Sequence, residues 1–161
     1  ARCDQGGVPA VTPSRARVAV MHGVNFDVLE RRSPEHYGGM TLTDLEVRIK
    51  LYARDLGFET IFSQTNHEGE FCEQLHRVAD NADALILNPG AWTHYSYAIR
   101  DALEVAGIPA VEVHLSAIDE REEWRRRSVI RDLCIATVQG KGVEGYREAL
   151  EIIARELGLG R

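Results

Sequence analysis

A chain of 161 residues, 44% hydrophobic and 27% charged, suits one soluble domain large enough to bury a real core. Its formal net charge of -6 argues against a nucleic-acid partner, which needs a basic surface. It contains no apolar stretch long enough to span a bilayer, which argues against a membrane protein.

Residues 1–16, with Gly6-Gly7, Pro9 and Pro13 and no hydrophobic signal core, read as a flexible tail ahead of a domain over 17–158. Cys3, Cys72 and Cys134 are widely spaced and form no metal or redox pattern. They read as reduced thiols of a cytoplasmic protein, two of them core filler. The first strand is expected at 17–22, a buried apolar run. Residues 22–37 then lack helical or strand periodicity, and a loop this long in a compact domain is usually a lid or binding loop. Thr43-Asp44-Leu45-Glu46 reads as a capping box opening a helix that places Leu45, Ile49, Tyr52 and Leu56 on one face and stops at Gly57. Residues 58–63 alternate as a second strand, and a helix follows over about 69–79 with Phe71, Leu75 and Val78 inward. A third strand at 84–87 closes in Asn88-Pro89-Gly90, and a third helix runs from about 95 to 106. Strands at 110–115 and 134–138, a charged segment at 119–127 between them and a last helix carrying Tyr146, Leu150 and Ile153 complete the chain. This alternation predicts an α/β, flavodoxin-like, doubly wound five-stranded parallel sheet with helices on both faces, three α/β/α layers in a single domain.

In such sheets ligands bind outside the carboxyl ends of the strands, and there the unusual polar residues gather. Asn25 follows the first strand, Asn88 and His94 the third, and Glu112 and His114 close the fourth. Glu112 and His114, two apart on a strand, share a face, so the carboxylate has an imidazole that can be its buried partner; a satisfied core Glu beside a surface His is the competing reading. Asn88-Pro89-Gly90-Ala91-Trp92-Thr93-His94 sets amide donors and an imidazole around a concave spot, unless Thr93 is a plain helix cap and His94 is solvated. Tyr37 lies near Arg31 and Arg32, and guanidinium charge favours a phenolate able to act as a base; a packed loop anchor is the alternative. Arg125, Arg126 and Arg127 follow a run of acidic residues and read as a solvated face, with room for one arginine to grip a carboxylate. The histidines form no zinc signature, and the glycines form neither a Walker loop nor a dinucleotide fingerprint.

Taken together, these segments resemble the type II 3-dehydroquinate dehydratases from about Arg17 to Leu157. His22-Gly23-Val24-Asn25 is similar to the family's Asn-Gly-Pro-Asn, and Arg32-Ser33-Pro34-Glu35-His36-Tyr37-Gly38 to its lid motif Arg-x-Pro-x-x-Tyr-Gly. Gln64-Thr65-Asn66-His67-Glu68-Gly69, the Asn88–His94 turn, Arg100-Asp101-Ala102, Glu112-Val113-His114-Leu115-Ser116 and Arg121-Glu122-Glu123-Trp124-Arg125 match further family motifs in order. The resemblance implies a cofactor-free, metal-free lyase that dehydrates 3-dehydroquinate to 3-dehydroshikimate through an enolate, in aromatic biosynthesis by the shikimate pathway or in quinate metabolism. By that resemblance Tyr37, kept ionised by Arg32, is the base, and Asn25 holds a water that stabilises the enolate. His114, oriented by Glu112, is the acid, while Asn88, His94, Leu115, Ser116 and Arg125 bind substrate. The family assembles as a dodecamer, a tetramer of trimers, with Asp101 reaching a neighbouring site.

The chain departs from the pattern at His22, Val24, Glu30, Ala117 and Phe26-Asp27, all in the lid or pocket wall, and keeps every proton-transfer residue. Two alternatives follow from the departures: a divergent lyase acting on a related cyclic hydroxy acid, or a non-catalytic binder of a shikimate-type acid.

Overall fold

The computed structural model describes residues 14–159; Cys3 and residues 1–13 of the expected tail lie outside the described residues. Strands β1 (Arg17–His22), β2 (Glu59–Gln64), β3 (Ala84–Asn88), β4 (Ala110–His114) and β5 (Ala136–Gln139) form one sheet in the order β2-β1-β3-β4-β5. Every pairing is parallel. This is the flavodoxin-like order, in which the chain leaves β1 toward one edge and returns to continue toward the other.

Strand β1 is buried on both sides, and its side chains sort by parity. Val18 and Val20 join Leu45, Ile49, Ala149 and Ile153 on the face covered by α2 (Leu42–Asp55) and α5 (Glu144–Glu156). Ala19 and Met21 face Phe71, Leu75, Ile99 and Leu103 from α3 (Glu68–Asn81) and α4 (Tyr97–Ala106). Among the described residues no helix is long and apolar enough to cross a membrane.

Local chemistry moves several boundaries. The capping box of α2 sits at Thr41 and Asp44, not at Thr43 and Glu46: the Asp44 N–H donates to the Thr41 hydroxyl at 3.1 Å, and the Thr41 N–H to the Asp44 carboxylate at 3.2 Å. Aspartate serves at the third helical position as glutamate does, so the helix starts earlier than a Glu-based signature implies. Helix α4 begins at Tyr97 because Ser96, not Thr93, caps it, its hydroxyl accepting the Ile99 N–H at 3.0 Å. Residues Gly90–His94 form a separate 3-10 turn. Strand β5 is shorter and later than 134–138.

The segment after β1 is not irregular. Phe26–Arg31 winds as a 3-10 turn with Phe26 and Leu29 buried, and α1 (Pro34–Tyr37) follows with Pro34 at its start and Gly38 in the left-handed region at its end. A three-residue spacing of just two apolar anchors leaves too short a trace to read as periodicity.

Two turns lock the first and third strands together at the end that carries the site. The Gly23 N–H donates to the Asn88 carbonyl at 2.8 Å, and a Cβ at Gly23 would overlap the Pro89 carbonyl oxygen, a backbone atom that cannot step aside. Gly23→Ala is therefore expected to cost about 3 kcal/mol, a fall in melting temperature of roughly 6–12 °C for a chain of this size. Thermal unfolding followed by circular dichroism checks this, and a midpoint unchanged from the parent contradicts it.

Candidate active site

The carboxyl ends of β3 and β4, the segments that follow them and the segment after β1 line a pocket with about 350 Å³ of space between and in front of its side chains. Its buried ionisable pair, Glu112 and His114, comes from β4. Glu112 is fully buried, and its Oε1 accepts hydrogen bonds from His114 Nε2 at 2.6 Å and Thr93 Oγ1 at 2.5 Å. The Ser128 hydroxyl adds bonds at 2.8 and 3.0 Å to the two carboxylate oxygens. Burial pushes this carboxyl up, but the bond and charge of His114 and the hydroxyls of Thr93 and Ser128 outweigh it, leaving Glu112 below the ordinary carboxyl range. An ionised Glu112 only accepts, so His114 Nε2 carries a proton and the ring is fixed in one tautomer and orientation. The competing readings, a satisfied core Glu with a surface His and Thr93 as a helix cap, give way to this arrangement: His114 is itself buried and lines the pocket.

The last residue of α1, Tyr37, lines the same pocket. Arg32 Nη2 donates to the Tyr37 hydroxyl oxygen at 2.7 Å, and its guanidinium lies 4.1 Å from the ring centroid. Arg121 Nη1 donates to the same oxygen at 2.9 Å. Both bonds use the oxygen as acceptor, and both donors are cations, so two charge-assisted bonds fix its position in the pocket. Arg121 is not among the candidate site residues legible from the sequence. It opens the segment Arg121–Arg125, where a run of alternating charges hid which arginine turns inward. The signal available was its place at the head of a matched motif.

The other candidates divide in two. Asn88, His94, Leu115, Ser116 and Arg125 all line the pocket with Arg32, Tyr37 and His114. His94 Nδ1 donates to the Arg127 carbonyl at 2.7 Å, and burial holds the imidazole below its ordinary value against that bond. The neutral ring then offers Nε2 as an acceptor for a hydroxyl. Arg125 stacks over Trp124 at 4.0 Å and lies 3.1 Å from Glu122, so the arginine run is neither wholly solvated nor a patch. Asn25 and Asp101 lie outside this lining and are exposed: Asn25 borders it through its neighbour Phe26, and Asp101 sits on α4.

The chain departures also find places. His22 is buried, stacks on Phe26 at 5.3 Å between ring centroids and lies 3.4 Å from the Glu46 carboxylate, so it supports the pocket wall from behind. Ala117 packs against Gly140 at the end of β5, where the two chain segments approach closely.

Compared with known proteins, residues 16–154 match the model of the family described as dehydroquinase class II. The chain belongs to that family. It is 46% identical over 138 residues to the 3-dehydroquinate dehydratase of Pelotomaculum thermopropionicum, covering 86% of this chain and 96% of that protein. The 3-dehydroquinate dehydratase of Thermotoga maritima is 47% identical over 141 residues, covering 88% and 96%. The crystal structure of type II dehydroquinase from Propionibacterium acnes superposes with a TM-score of 0.83 at 38% identity, covering 88% of this chain and 99% of that one. The type II dehydroquinase match takes in β4, the turn after β3 and the tyrosine-bearing segment after β1.

Proposed function

We propose that this protein is a lyase that dehydrates 3-dehydroquinate to 3-dehydroshikimate, with Tyr37 as base and His114 as acid. The observation that carries the reading is one pocket lined both by a tyrosine whose oxygen accepts from two guanidinium groups and by a histidine seated on a buried carboxylate. Elimination next to a ketone needs both: a base for the carbon acid, stabilisation for the enolate oxygen and an acid for the departing hydroxyl.

Tyr37 takes the proton from the carbon beside the ketone, and the electron pair moves onto the ketone oxygen. Asn25 holds the water that stabilises this enolate. His114 then gives its proton to the departing hydroxyl, which leaves as water while the enolate collapses to the conjugated enone. Glu112 keeps the imidazole oriented and balances its charge while it is protonated. Asn88, His94, Leu115, Ser116 and Arg125 hold the substrate's hydroxyls and carboxylate. No cofactor takes part in this scheme.

The assembly that goes with this reading is a dodecamer, a tetramer of trimers, in a cytoplasmic enzyme serving aromatic biosynthesis or quinate breakdown. Exposed Asp101, outside its own chain's pocket and on the helix that follows exposed Tyr95, supports a role at a neighbouring subunit's site. The test is direct: added 3-dehydroquinate should give the ultraviolet absorbance of a conjugated enone. Binding without product would favour a sensor of shikimate-type acids, and better turnover of another cyclic hydroxy acid would favour a divergent lyase.

A further inference from the structure

Asn25 is the one non-glycine residue with positive φ among the described residues (φ 68°, ψ 10°). L-residues adopt this region at a cost, asparagine least, and such outliers persist where surrounding contacts hold them. The contacts come from the stretch Gln64–Gly69, which the proposed chemistry leaves unused. The Asn25 N–H donates to Asn66 Oδ1 at 2.8 Å. Gln64 Nε2 donates to the same Oδ1 and to the Gly23 carbonyl, each at 3.2 Å, and Asn66 Nδ2 donates to the Asp27 carboxylate at 2.9 Å. A backbone N–H can only donate, so the Asn66 amide is fixed with its oxygen toward Asn25 and its nitrogen toward Asp27. One side chain thus spans both sides of Asn25, tied to the end of β2 by Gln64, whose backbone is in register with His22.

We propose that Asn66 is a positioning residue for the enolate-stabilising step: it holds Asn25 in its left-handed conformation and so aims the Asn25 amide. The inference rests on the role given to Asn25 under Proposed function. Asn66 itself is exposed and does not line the pocket, so it acts through Asn25 and not by touching substrate. A misplacement of about 1 Å of an aligned group costs far more in turnover than in binding when the group acts on the transition state.

The experiment is a double-mutant cycle in steady-state turnover of 3-dehydroquinate by the full-length parent, Asn66→Ala, Asn25→Ala and the double variant, with hydrogen–deuterium exchange of the peptide over residues 23–29. Asn66→Ala should lower kcat about 10- to 100-fold with KM nearly unchanged, and exchange at the Asn25 amide should rise. Asn25→Ala should lower kcat at least as far, and adding Asn66→Ala to it should cost nothing more. Losses that multiply in the double variant would overturn the inference while leaving Asn25 in its role. Parental kcat in Asn66→Ala, with Asn25→Ala impaired, would do the same. Parental kcat in Asn25→Ala would overturn the role of Asn25 itself, and this inference with it.

Discussion

Tyr37→Phe is expected to lower kcat by about 10³- to 10⁴-fold, the scale of a lost general base. The ring remains, with its contact to the Arg32 guanidinium, so KM should change little. What disappears is the oxygen on which Arg32 and Arg121 converge. In a pocket open to water the two arginines regain solvent partners, so the melting temperature should hold within a few degrees. Enone absorbance in a stopped assay measures the rate, and circular dichroism the stability. A variant retaining more than about a tenth of parental kcat would remove Tyr37 from the role of base, since that exceeds what bound substrate and oxyanion stabilisation retain without it.

Glu112→Gln should act on both rate and stability. The amide fits the same space but cannot accept at both oxygens, so the Ser128 hydroxyl loses one of its two contacts. Loss of the charge also frees His114 to take the other tautomer and removes the balance for its protonated form. A fall in kcat of about 10²- to 10³-fold is expected, with a stability loss of about 1–3 kcal/mol at neutral pH. The pH dependence gives a second signature. Because Glu112 sits below the ordinary carboxyl value of 4.5 in the folded chain, the unfolded chain binds a proton there first as the pH falls. Its contribution is complete above about 4.5 and is lost as acidity passes through the folded value. His94, held neutral by burial below its ordinary 6.5, loses stability in the same direction from a higher starting pH. Melting temperatures across pH 3–7 should therefore decline for the parent in both ranges. Glu112→Gln should keep the upper decline and flatten the lower one; an unflattened acid limb would show that other carboxylates carry it.

The alternation of apolar runs and helical patterns was enough to determine the sheet, because buried parallel strands need unbroken apolar stretches and helices need a periodic face. The pairing of Glu112 with His114 was also legible, since two residues apart on one strand share a side by geometry alone. The left-handed turn at Asn25 was not: it is held by Asn66, 41 positions away in sequence, through a hydrogen bond no local pattern encodes. The same holds for Ser128 on Glu112, and for Arg121, 84 positions from Tyr37, whose inward turn the neighbouring charges concealed. Residue order thus determined which strands form and which acid–base types end them. Only the packed chain decided which arginines reach the tyrosine and which hydroxyls satisfy the buried carboxylate, because those choices depend on distances between segments that meet only when the sheet is closed.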